Sequence, residues 1–120
     1  MNNHQRAHQL WSVLAFAAYN RQTLTYAFVG KLVGLPAAAI GRSLYPIQHF
    51  CKQQKLPPLT VLVVNQETGL PGEGLEVNDF AKMVEEVFEF DWISYKAPGS
   101  EVGPNAEDLK QASENHENHH

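Results

Sequence analysis

Apolar residues recur at spacings of three and four along the first part of the chain. Ala7, Leu10, Trp11, Leu14 and Ala18 fall on one side of a 3.6-residue repeat, which predicts an amphipathic helix over 4–20. Arg21-Gln22 interrupts the pattern, and Thr25 then supplies a hydroxyl suited to cap the next helix. That helix is expected over 26–33, burying Tyr26, Val29, Leu32 and Val33 and stopping at Gly34, where glycine tolerates a left-handed cap. Pro36 favours an immediate restart, because its missing N–H would lack a helical partner there anyway. Ala37-Ala38-Ala39-Ile40 supports a third helix by propensity, and Pro46 is expected to end or kink it near Leu44-Tyr45, with a further helical set over 47–54. Two short helices joined by a tight, Gly-containing turn predict a helix-turn-helix in which the third helix is the one presented.

After Leu56-Pro57-Pro58 the pattern changes. Leu59-Thr60-Val61-Leu62-Val63-Val64 is rich in β-branched residues and predicts a buried strand. The Gly- and Pro-containing stretch 65–74 predicts a chain reversal and a short returning strand, the two forming a β-hairpin wing. A last amphipathic helix is expected to start at Asn78, with Phe80, Val84, Val87 and Phe88 inward and Glu85, Glu86 and Glu89 outward. From residue 97 on, Pro, Gly, Ser, Asn and Glu dominate without a folding period, so 97–120 is expected to be a disordered acidic and His-containing tail. The expected architecture is mainly α with a small β-hairpin: a winged helix-turn-helix over 1–96 with an added C-terminal helix.

Length and composition fit one domain, since 120 residues with 43% hydrophobic content can bury a sizeable core. The apolar runs at 13–18 and 59–64 fall well short of the roughly 20 residues a bilayer crossing needs, and the polar N-terminal stretch lacks secretory-signal features. A cytoplasmic protein without membrane association is expected. The single cysteine, Cys51, excludes an internal disulfide and by itself supplies no structural zinc site.

Charge changes the picture most. The net charge of −4 is divided unevenly, because the first acidic residue is Glu67: residues 1–66 hold six of the nine basic groups, and all 13 carboxylates follow. Such asymmetry points to nucleic acid or another charged surface as partner of the basic half. Arg42, Lys52 and Lys55 follow the turn on the presented helix and its extension, where cations meet phosphates, and Ser43, Tyr45 and Gln48 add hydrogen-bonding groups.

Residues 25–75 also resemble something known. Leu24-Thr25-Tyr26 opens one helix, Ala37-Ala38-Ala39-Ile40-Gly41-Arg42-Ser43-Leu44 forms the next, and Leu56-Pro57 precedes an apolar segment and a Gly-rich turn. This resembles the winged-helix DNA-binding domain of the alkylguanine-DNA alkyltransferases and their catalytically silent relatives. The resemblance implies that Thr25, Tyr26 and the Ile40-Gly41 pair meet or pack against duplex DNA. It also marks two departures. The Pro-Cys-His-Arg run that carries the family's reactive cysteine has no cysteine counterpart in 59–64, so alkyl transfer is absent. The arginine that the family inserts into the base stack aligns with Ala38, which leaves a flipped base with nothing to fill its place.

The remaining chemistry-bearing residues point away from an enzyme. His49 and Cys51 lie two apart on a helix and do not face each other, and Gly69, Gly72 and Gly74 are not followed by Gly-Lys-Ser or Gly-Lys-Thr. His4 and His8 have helical metal-pair spacing without a third ligand, and the His-rich end lies in the expected tail, so no metal or cofactor is expected. The resulting expectation is a noncatalytic, regulatory or defence-related nucleic-acid-binding protein that favours DNA. The alternative is an adaptor, or an inhibitor of a basic toxin or nuclease, that works through the acidic helix 78–91. A homodimer through the region of Trp92 is also open.

Overall fold

The computed structural model describes residues 3–72, 77–95 and 109–111. It is mainly helical, with one small two-stranded sheet. Helix α1 (Asn3–Tyr19) buries Ala7, Leu10, Trp11, Leu14 and Ala18, the residues its periodicity selects. After a turn, β1 (Leu24–Thr25) leads directly into α2 (Tyr26–Val33), where the Thr25 hydroxyl accepts from the Phe28 N–H at 3.1 Å and so satisfies one orphan donor. Gly34 adopts the left-handed conformation at φ 76°, and the N–H groups of Gly34 and Leu35 both bond to the Gly30 carbonyl. The chain bends by 84° between α2 and α3 (Ala37–Gln53). The steep two-helix turn that the sequence predicts is therefore present.

Three local expectations are corrected. Pro46 does not end the third helix, which runs on to Gln53. Its missing N–H leaves the Arg42 carbonyl without an intrahelical donor, at a cost of roughly 3 kcal/mol. Burial of Pro46, Ile47, Phe50 and Cys51 on the core side offsets that loss. Leu32 is half exposed rather than buried, because α2 turns Val29, Gly30 and Val33 inward. Residues 59–64 are not a continuous strand. Leu59–Leu62 forms a 3-10 turn, with the Val61 N–H bonding the Pro58 carbonyl, and only β2 (Val63–Val64) is extended.

β2 pairs in parallel with β1, Leu24 opposite Val63 and Thr25 opposite Val64. The pairing is short because β1 offers only two residues before α2 begins. Among the described residues, this parallel pair stands where a hairpin is expected. The chain does reverse after β2: Asn65 N–H bonds the Leu70 carbonyl and Gly69 N–H bonds the Asn65 carbonyl, each at 2.8 Å. The Asn65 side chain accepts from Glu67 N–H, which closes the loop on itself. Residues 73–76 lie outside the described residues.

Helix α4 (Val77–Glu89) places Val87 in the core and half-buries Phe80, Val84 and Phe88, while Glu85, Glu86 and Glu89 face solvent as expected. The chain beyond it closes the core. Trp92 is buried, donates its Nε1–H to the Val87 carbonyl at 2.7 Å, and packs edge-on against Trp11 at 5.5 Å between centroids. Trp11 meets Phe50 in the same manner at 5.7 Å. One aromatic cluster thus joins α1, α3 and the segment after α4. Because Trp92 lies inside it, the expected dimer face there is not formed by the indole. Residues 109–111 are helical and Leu109 is fully buried in the core, within the stretch whose composition reads as disordered. Most of 97–120 lies outside the described residues.

Candidate nucleic-acid interface

The exposed side of α3 carries Arg42, Tyr45, Gln48 and Lys52, at spacings of three, three and four that keep them on one helical stripe. Its first turn exposes only Ala37 and Ala38, followed by exposed Gly41. Arg42 and Lys52 are separated by ten helical residues, which corresponds to about 15 Å of axial rise. Neither side chain forms an ion pair or hydrogen bond among the described residues. The Tyr45 ring is half exposed and stands edge-on to the buried His49 ring at 4.2 Å.

The other sequence candidates separate from this stripe. Ser43 is buried, and its hydroxyl donates to the Ala39 carbonyl one turn earlier, so it is structural and unavailable to a ligand. Thr25 spends its hydroxyl on the α2 cap. Tyr26 is half-buried, and with Gln48 and Thr60 it lines a cleft of about 380 Å³ between α2, α3 and the 3-10 turn, with Met83 of α4 contributing. Lys55 is exposed just past the end of α3 in a left-handed conformation at φ 57°, off the helical stripe. The structure therefore brings Arg42, Tyr45, Gln48 and Lys52 together, links Tyr26 to them through Gln48, and leaves Ser43 aside.

Among the described residues, an ion pair joins the acidic α4 to the turn after α1. Arg21, left-handed at the end of α1, pairs with Glu85 of α4 at 3.4 Å, and its guanidinium lies 5.8 Å from the Phe88 ring centre. Both partners are more than half exposed, so the pair is worth less than about 1 kcal/mol. Cys51 carries no reactive signature: it is buried, and desolvation pushes its thiol up to about 12 despite a backbone hydrogen bond at Leu59 that acts in the opposite sense. Among the described residues no three His, Cys, Asp or Glu side chains converge as a metal-holding group.

A second concavity was invisible to periodicity. It lies between α1 and α2, where Phe16, Phe28 and Leu32 are exposed, and none of its lining comes from α3. The only signal in the sequence is that α2 carries more apolar residues than one helical face accommodates. No single helix among the described residues is long and apolar enough to cross a membrane. No protein-family model matches this chain, and no curated protein or solved structure is significantly similar to it.

Proposed function

We propose that this chain is a noncatalytic nucleic-acid-binding protein of winged-helix type, in which α3 lies against duplex DNA and the loop beginning at Asn65 touches the adjacent backbone. The observation that carries this reading is the stripe of Arg42, Tyr45, Gln48 and Lys52 on the second helix of a steep two-helix turn. The cations at its ends are about 15 Å apart along the axis, comparable to the roughly 12 Å width of a major groove. They belong to the half of the chain that holds no carboxylate, so the local field favours phosphate although the net charge is −4. The likeness to alkyltransferase-like proteins points the same way.

The composition of the first turn defines the kind of recognition. Ala37, Ala38 and Gly41 offer no side-chain donor or acceptor where such helices read base edges. Binding rests on phosphate contacts and close approach, and affinity depends little on sequence. The test is fluorescence anisotropy with labelled duplex DNA, single-stranded DNA and RNA at two salt concentrations. Duplex binding is expected to weaken steeply with salt, and Arg42→Ala with Lys52→Ala to lower the salt slope by about two, one for each lost phosphate contact. Duplexes of different sequence are expected to titrate alike. An unchanged slope in the double variant removes α3 as the contact surface. No binding to any of the three nucleic acids, together with a protein partner lost on Glu85→Gln, Glu86→Gln and Glu89→Gln, assigns function to the acidic helix instead.

A further inference from the structure

Tyr26, Gln48 and Thr60 line one cleft of about 380 Å³, although they come from α2, α3 and the 3-10 turn. None of the three side chains forms a hydrogen bond among the described residues. Tyr26 and Thr60 are half-buried, and hydroxyls withdrawn from water ordinarily find a partner. The rest of the lining is mainly apolar: Leu44 and Val61, both buried, contribute to it together with Pro58, Pro71 and Met83. Apolar walls with a few placed polar groups are the makeup of a small-molecule site, and the volume falls within the roughly 300–1,000 Å³ that such sites occupy.

We propose that this cleft binds a small uncharged molecule built on an aromatic ring that carries a carboxamide or lactam edge. Gln48 presents an acceptor oxygen and a donor NH2 on one carbon, and the complement of that pair is another amide edge. The hydroxyls of Tyr26 and Thr60 each donate and accept, so they serve the hydrogen-bonding positions of the edge that Gln48 leaves over. A charged ligand gains no countercharge from these three groups and gives up its hydration on entering. The walls set the ring: the Tyr26 phenol and the Met83 thioether both pack favourably on an aromatic group. Occupancy requires no nucleic acid, so failure of either reading leaves the other standing, although Gln48 serves both surfaces.

The test is titration of the full, isotopically labelled chain with benzamide and with its isosteres benzoate, benzamidinium and cyclohexanecarboxamide, followed by two-dimensional NMR. Benzamide is expected to shift the side-chain amide resonances of Gln48 and the backbone resonances of Gly41 and Thr60. It is expected to bind at least about tenfold tighter than either charged isostere and about threefold tighter than the saturated amide. Tyr26→Phe, Thr60→Val and Gln48→Ala are each expected to weaken it about threefold to tenfold, the loss of one hydrogen bond, with circular dichroism verifying the fold. Phe16→Ser, in the concavity between α1 and α2, is expected to leave binding unchanged. No shift at about 20 mM benzamide, no preference over the charged or saturated isosteres, or indifference to all three cleft variants overturns the proposal. So does tighter binding of benzamidinium, which assigns the cleft to cations, or loss of binding on Phe16→Ser, which assigns the ring to the other concavity.

Discussion

At the scale of single residues, environment sorts side chains that look equivalent in the sequence. Ser43 and Gln48 are both polar residues of α3, yet one turns inward to a backbone carbonyl and the other lines an open cleft. Cys51 shows how far burial overrides local chemistry, since neither the neighbouring Lys52 nor His49 activates it. Its thiol is expected to resist alkylation by iodoacetamide in the native state at neutral pH and to react only as the protein unfolds, which mass spectrometry across a urea series will report. The same burial sets a stability trend. An unfolded thiol ionises near its ordinary value of 9.0, while the folded one holds its proton to about 12. The folded state thus binds the extra proton across that interval. The stability contribution is complete below pH 9 and is lost as pH rises towards 12, with a slope of at most about 1.4 kcal/mol per pH unit.

At the scale of elements, the α2–α3 turn is the most constrained piece of the molecule. A Cβ at Gly30 would lie 2.4 Å from the Leu35 carbonyl oxygen, a backbone atom that the capping bonds to Gly30 hold in place. Gly30→Ala gains helix propensity but forces α2 and α3 apart. The variant is expected to be destabilised by about 1–3 kcal/mol in urea unfolding followed by far-UV circular dichroism. Any spreading of the two helices also displaces the α3 stripe, so the variant's nucleic-acid affinity is expected to fall with its stability. Caps and turns of this kind are legible in sequence because they depend on near neighbours: Thr25, Gly34 and Pro36 place the ends of α2 and the start of α3. Pro46 is the counterexample, since its local effect is to break a helix and its burial with Ile47 and Phe50 keeps the helix running.

At the scale of the whole molecule, the aromatic cluster of Trp11, Phe50 and Trp92 holds three distant parts of the chain together. Trp92→Ala removes the largest side chain that the segment after α4 contributes and breaks its hydrogen bond to Val87. A loss of about 3–5 kcal/mol is expected, read from denaturant midpoints with Trp11 fluorescence as the second probe. The charge division acts at this scale too. The acidic half meets the basic half at the exposed Arg21–Glu85 pair, whereas Arg42 and Lys52 remain without ion-pair partners among the described residues. An exposed pair of this strength does not hold the molecule together. The core does.

The amino-acid order alone determined the positions of α1, α2 and α4, the start of α3, the Thr25 and Gly34 caps of α2, the inward faces of α1 and α4, and the confinement of acidic residues to the second half. Each of these depends on helical periodicity or on groups a few positions apart. It also marked Arg42, Tyr45, Gln48 and Lys52 as candidates, but with Gln48 and Lys52 beyond an expected break at Pro46, so that the fold decided that all four share one helix. Tertiary structure decided what near neighbours do not encode: whether Ser43 is available, whether Pro46 terminates α3, and which edge Val63–Val64 pairs with. It likewise decided that Leu109 joins the core and that Phe16, Phe28 and Leu32 are left uncovered. The physical reason is common to all of them. Burial and strand pairing depend on partners brought together from far along the chain, and their free energies outweigh the local preferences that a linear reading weighs.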